Sequence, residues 1–194
     1  MAAVPSTMLA LGTSVPDFTL TDAVSGRRVS PGDHRAAPAL LVMFICNHCP
    51  FVKHVLPELG RLERDYAAKG LALIAINAND PEAFPADAPP EMERLARDEG
   101  WGFPFAFDET QEVAKAFQAA CTPDFFLFDR EGVLVYRGQL DGSRPSNGVP
   151  VTGADLRRAI EAALAGRPVA GEQRPSVGCN IKWRKGSAPA WFGQ

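Results

Sequence analysis

An excess of charge of one sign is the first thing this chain lacks. Twenty Lys and Arg stand against 23 Asp and Glu in 194 residues, a formal net charge of -3. That leaves no basic footprint, so no nucleic-acid partner is expected. Long hydrophobic runs are missing as well. A bilayer span needs roughly 20 apolar residues in succession, and no stretch approaches that, so no membrane partner is expected. Met1 to Leu11 holds no Lys or Arg and only a short, mild apolar stretch. This is not the pattern of a secretory signal, and a cytoplasmic location is the expectation. Cysteine is scarce, with four in the chain. In a reducing compartment structural disulfides are rare. The four are therefore expected to be free thiols, metal ligands or redox catalysts. Internal repeats are absent too. What remains, 46% apolar and 22% charged residues, suits one soluble domain with a sizeable core.

The apolar patterning divides the chain. Val15 to Leu20 alternates, Ser25-Gly26 makes a turn, and Arg27 to Ser30 returns, which predicts an N-terminal hairpin. Leu40 to Ile45 is an unbroken apolar run bounded by Pro38 and predicts a buried strand over 39–45. A helix over 49–68 follows, with Phe51, Val52, Val55, Leu56, Leu59, Leu62 and Tyr66 at helical spacing and Pro57 as a kink. Leu71 to Asn77 is a second buried strand, giving a parallel crossover. Four prolines mark a loop over 79–90, and a short helix covers Glu91 to Glu99. Asp108 with Gln111 resembles a helix cap ahead of a helix over 109–119. Strands over 124–128 and 133–137 are joined by a tight turn. A loop over 141–151 and a helix from Thr152 to Ala165, capped by Thr152, complete the unit. The expected division is a domain over 1–166 and a tail over 167–194 that packs on it or partly frays. The order β-α-β, helical excursion, β-β, α matches the thioredoxin fold: α/β, a mixed sheet with helices on both faces. The hairpin, a helical insertion and the tail are additions.

Chemistry concentrates at Cys46-Asn47-His48-Cys49-Pro50, between the first long strand and its helix. A helix start has unpaired N–H groups and partial positive charge. A thiolate is stabilised there, and the thiolate is the reactive form of cysteine. Two intervening residues let the sulfurs close a small ring. His48 in its charged form would hold a neighbouring thiolate at lower pKa. The alternatives are a half zinc site or two unrelated buried thiols; no second ligand pair has the spacing a full zinc site needs, so no metal is expected.

Three segments together carry a family resemblance: Cys46 to His54, Thr122 to Asp129, and Pro175 to Trp183, with its Gly178-Cys179-Asn180. They resemble a bacterial branch of the thioredoxin-like superfamily grouped with the redoxins, the alkyl hydroperoxide reductase/thiol-specific antioxidant family. The similarity spans about residues 12–184. It implies a thiol–disulfide oxidoreductase with no bound cofactor. Cys46 would be an exposed nucleophilic thiolate that attacks a substrate disulfide, and Cys49 would resolve the mixed disulfide. Thr122-Pro123 would be the cis-proline element that pairs with substrate backbone. Cys121 abuts that loop and is either a further redox thiol or a small buried hydrophobe. Cys179 is either tail filler or a thiol that resolves oxidised Cys46 or Cys49. Ile45 stands where thioredoxins often have tryptophan, so the substrate surface differs. The implied partners are a protein or small-molecule disulfide and a thiol reductant, acting on a monomer or weak dimer.

Two alternatives compete. Peroxiredoxins carry P-x-x-x-T-x-x-C, which would make Cys49 the peroxide-attacking sulfur. This chain has Val42 and Cys46 where the proline and threonine belong. A Cu(I)-binding module could use Cys46, Cys49 and His48 or His54. The spacing is one residue short of the related copper-assembly motif, and no histidine follows His54.

Overall fold

A computed structural model describes residues 3–193; Met1, Ala2 and Gln194, the outermost ends of the two expected units, lie outside them. The elements run β1 (Ala3–Pro5), β2 (Leu20–Asp22), β3 (Arg28–Val29), β4 (Ala39–Phe44), α1 (Pro50–Tyr66), β5 (Leu71–Asn77), α2 (Pro89–Asp98), β6 (Phe105–Phe107), α3 (Glu112–Ala116), β7 (Cys121–Thr122), β8 (Asp124–Asp129), β9 (Leu134–Gly138), α4 (Ala154–Leu164) and β10 (Val177–Asn180). Seven strands form one mixed sheet in the order β3-β2-β6-β5-β4-β8-β9. β4 pairs parallel with β5 and antiparallel with β8. This is the thioredoxin fold.

β4 sits centrally because both of its faces are apolar. Ala39, Leu41 and Met43 enter one core with Val52, Leu59 and Leu62 of α1 and Leu156 and Ile160 of α4. Leu40, Val42 and Phe44 enter the opposite core with Val113 and Ala114 of α3 and with Phe117. The two-residue period of a strand makes this division. Phe44, Phe117 and Phe126 meet edge to face in the second core.

Several local expectations are corrected. The N-terminal hairpin is β2–β3, so Val15 to Thr19 is not a strand; Ser14 makes an isolated bridge to Val133. The insertion between 80 and 119 is not wholly helical. β6 within it runs parallel to β5 in the main sheet, and three residues are too few to display alternation. α3 is one short turn rather than a helix over 109–119. Gln111 does not close a capping box with Asp108. Its amide instead donates to the carbonyls of Ala78 and Lys182 and accepts from Arg184 N–H. The expected cap Thr152 is likewise displaced: the α4 N-cap is Gly153. The Asp141 carboxylate accepts the N–H groups of Thr152 and Gly153, each at 2.6 Å.

The C-terminal segment builds a second, three-stranded sheet, β1-β10-β7, with β10 in the middle. Cys179 lies opposite both Ala3 and Thr122. Beyond it, Lys182 N–H donates to Asn79, and Ile181 is buried at 1% exposure.

Candidate active site

β4 delivers Cys46 to the end of the sheet, and Cys49 is the N-cap of α1. Pro50 at N1 is exposed while Asn47 and His48 are half-buried, so the two sulfurs lie just beneath the surface. Neither sulfur is open to it: Cys46 and Cys49 both have 0% exposure. The expectation of an exposed Cys46 thiolate is therefore corrected. β4 is a central strand, and its end is capped by the β7 loop and β10 rather than by solvent.

Burial first, then the neighbouring Cys49 thiol and the nearby Asp87 charge, push the Cys46 thiol well above its ordinary range. Cys49 moves the other way, down to about 5. The Cys46 thiol contributes most, and burial opposes it. The Cys179 thiol, Val52 N–H and Cys179 N–H add further donors. The Thr122 carbonyl, 3.2 Å from Cys49 Sγ, favours the protonated form. One acceptor faces several donors, and the donors prevail. The acidic sulfur is thus Cys49, where the α1 dipole also favours negative charge.

Thr122 and Pro123 stand opposite, joined by a cis peptide. Thr122 Oγ1 lies 3.3 Å from Cys46 Sγ. His48 Nδ1 is 4.0 Å from Cys46 Sγ and bonds to Asp87. The His48 ring stacks on Phe84 at 5.0 Å. Cys121 Sγ faces the Pro123 carbonyl at 3.7 Å, and burial pushes its thiol up. It makes no hydrogen bond to the other three sulfurs among the described residues. Cys179 lies opposite Thr122, and burial with the neighbouring Cys49 pushes its thiol up. His54, named above as a possible Cu(I) ligand, is half-buried, with its Nε2 shielded and unpartnered.

Asp87 has no signal in the sequence. It sits inside the four-proline segment, fully buried, and holds the motif's backbone. Its Oδ1 accepts Asn47 N–H at 2.8 Å and His48 N–H at 3.3 Å, and Asn79 donates to its Oδ2 at 2.8 Å. Cys46, His48 and Asp87 offer ligand atoms within 4.8 Å of one another. The Asp87 oxygens are already occupied by N–H donors, so the trio is a hydrogen-bond network rather than a vacant ligand set.

A dithiol at a helix start, facing a cis-proline loop on a mixed sheet, defines a thioredoxin-fold redox protein. The chain belongs to the AhpC/TSA family, whose model matches residues 11–137. It is 55% identical to an uncharacterized conserved protein from Geobacillus kaustophilus of known crystal structure. That match has a TM-score of 0.93 and covers 95% of this chain and 97% of the other. It shares the fold of the thioredoxin domain of a thiol-disulfide oxidoreductase from Bacteroides vulgatus, with a TM-score of 0.57 and 20% identity over 66% of this chain and 88% of that one. The thiol-disulfide oxidoreductase ResA of Geobacillus kaustophilus strain HTA426 is 28% identical over 126 residues, 65% of this chain and 67% of that protein.

Proposed function

We propose that the chain is a thiol–disulfide oxidoreductase whose couple is Cys46–Cys49, with Cys49 as the attacking thiolate. The observation that carries this is the placement of both sulfurs at the start of α1 against the cis Thr122–Pro123 peptide, with Cys49 as the helix N-cap and Thr122 in contact with each sulfur. Cys49 attacks one sulfur of a disulfide, and the other half leaves as a thiolate. Cys46 then attacks Cys49, and its proton goes to the second departing thiolate. Thr122 Oγ1 steadies Cys46, and Asp87 fixes the Asn47–His48 backbone that carries it. Because neither sulfur is exposed, an external disulfide reaches Cys49 only when the covering segment moves, so opening gates turnover. A protein or small-molecule disulfide is the substrate and a second thiol the reductant. A cytoplasmic setting is part of this reading.

Turnover of glutathione disulfide by wild type and by Cys49→Ala tests the assignment. Loss of turnover in the variant is expected, and unchanged turnover removes it. Equilibration of the Cys46–Cys49 pair with a glutathione buffer gives the direction. A potential near about -270 mV supports a reductant, and one near about -120 mV an oxidant.

One observation favours peroxide reduction as a second activity. The acidic sulfur is Cys49, the position that the peroxiredoxin pattern reserves for peroxide attack. Peroxide consumption by the reduced protein, abolished in Cys49→Ala, would support it.

A further inference from the structure

The strand β10 is unused by the dithiol chemistry, yet it lies against it. Its Cys179 is the register partner of Thr122, and Asn180 that of Cys121. Thr122 precedes the cis proline, so β10 occupies the backbone edge on which a substrate strand would pair. The approach is close. A Cβ built on Gly178 would fall 2.0 Å from the Thr122 carbonyl oxygen, so the crossing requires glycine.

This seating delivers Cys179 to the reacting sulfur. The Thr122 carbonyl that β10 crosses lies 3.2 Å from Cys49 Sγ, and Cys179 is the register partner of that same residue. The nearby Cys179 thiol and N–H both help to hold the Cys49 thiol low. Cys179 is 2% exposed and shares one core cluster with Cys46 and Cys49. It is held for a partner inside the molecule.

We propose that Cys179 is a second resolving thiol: β10 sits in the place of a substrate strand, and Cys179 forms a disulfide with Cys49 within the chain. This rests on the reading of Cys49 as the attacking thiolate. Cys49 attacks an external disulfide; a bond forms to one half, and the other half leaves as a thiolate. Cys179 then attacks the Cys49 sulfur, and the Cys49–Cys179 bond forms as the second half is expelled. The Cys179 proton passes to that departing thiolate. Two protein thiols are oxidised, one external disulfide is reduced to two thiols, and no other reactant is needed. Until then Cys179 keeps its proton, since burial and the neighbouring Cys49 push it up to about 12. Cys46 and Cys179 thus compete for the same sulfur.

The test uses the full chain with Cys46→Ala, oxidised by glutathione disulfide and mapped by non-reducing peptide mass spectrometry. The expected result is loss of two thiols and a Cys49–Cys179 bridge. In the Cys46→Ala/Cys179→Ala protein the reaction should stop at glutathione attached to Cys49. If Cys46→Ala instead accumulates that adduct with Cys179 free, the proposal is overturned while the redox reading stands. If Cys49 takes up no glutathione and forms no bridge in either variant, both fall. Should the alanine variant fail to fold, Cys46→Ser, with a hydroxyl in place of the thiol, is judged by the same outcomes.

Discussion

Cys49 draws its acidity from donors on three segments: the Cys46 thiol before it, Val52 N–H after it, and Cys179 on β10. The largest contribution is the Cys46 thiol, so Cys46→Ala should move the Cys49 titration up from about 5 toward its ordinary 9.0. The pH dependence of thiolate ultraviolet absorbance reads this directly. A depressed folded-state pKa also links to stability. The contribution of Cys49 is full above its unfolded pKa and is lost as pH falls through about 5. The stability difference between wild type and Cys49→Ala should therefore shrink steadily from pH 9 to pH 5. Asp87 acts on the other sulfur, and its charge helps to keep Cys46 protonated. Asp87→Asn should therefore bring the Cys46 titration down toward its ordinary range. The pH dependence of thiolate ultraviolet absorbance checks it. The sulfurs themselves were legible from their place between strand and helix. Asp87 was not, because a carboxylate in a proline-rich loop acquires its role only when the end of β5 brings that loop under the motif.

The elements that position the site differ in how openly they announce themselves. β4, α1 and β5 are long enough for their periodicity to be read, and each falls within a few residues of its expected place. β1, β6 and β10 have three or four residues each. Their pairing comes from distant parts of the chain, which local pattern does not encode. Capping shows the same limit. Thr152 has the right residue type, but Asp141 reaches both N–H groups at 2.6 Å. Asp141→Ala should cost about 2 kcal/mol in chemical denaturation, the upper range for a helix cap. Burial raises the Asp141 pKa, but its hydrogen bonds outweigh that and hold it low. Its contribution is therefore present above the unfolded carboxylate pKa of about 3.9 and lost on acidification below it. On β10, Gly178→Ala would press a methyl into the backbone of Thr122. A loss of about 1–3 kcal/mol is expected, the range for overpacking. The Cys49 titration should rise with it as Cys179 is pushed away.

Across the whole molecule, a buried ion pair within the main sheet anchors the start of the chain through Ser6. Arg137 of β9 lies 3.3 Å from Asp124 of β8, and Ser6, just after β1, donates to both Asp124 oxygens. Burial raises the Asp124 pKa and lowers that of Arg137, each opposed by the other. The guanidinium also lies over the Phe126 ring at 4.8 Å. Arg137→Ala would strand a carboxylate without its counter-charge and should cost about 3–5 kcal/mol in urea unfolding. β10 reaches further still, because it pairs with residue 3 on one side and residue 122 on the other. The acidity of Cys49 is consequently not a property of the five-residue motif that contains it. Grafted alone onto a foreign scaffold, Cys46 to Pro50 would bring its spacing but leave behind the donors of a strand more than a hundred residues away in the chain. The reactivity belongs to an assembled junction and cannot be transplanted as a word.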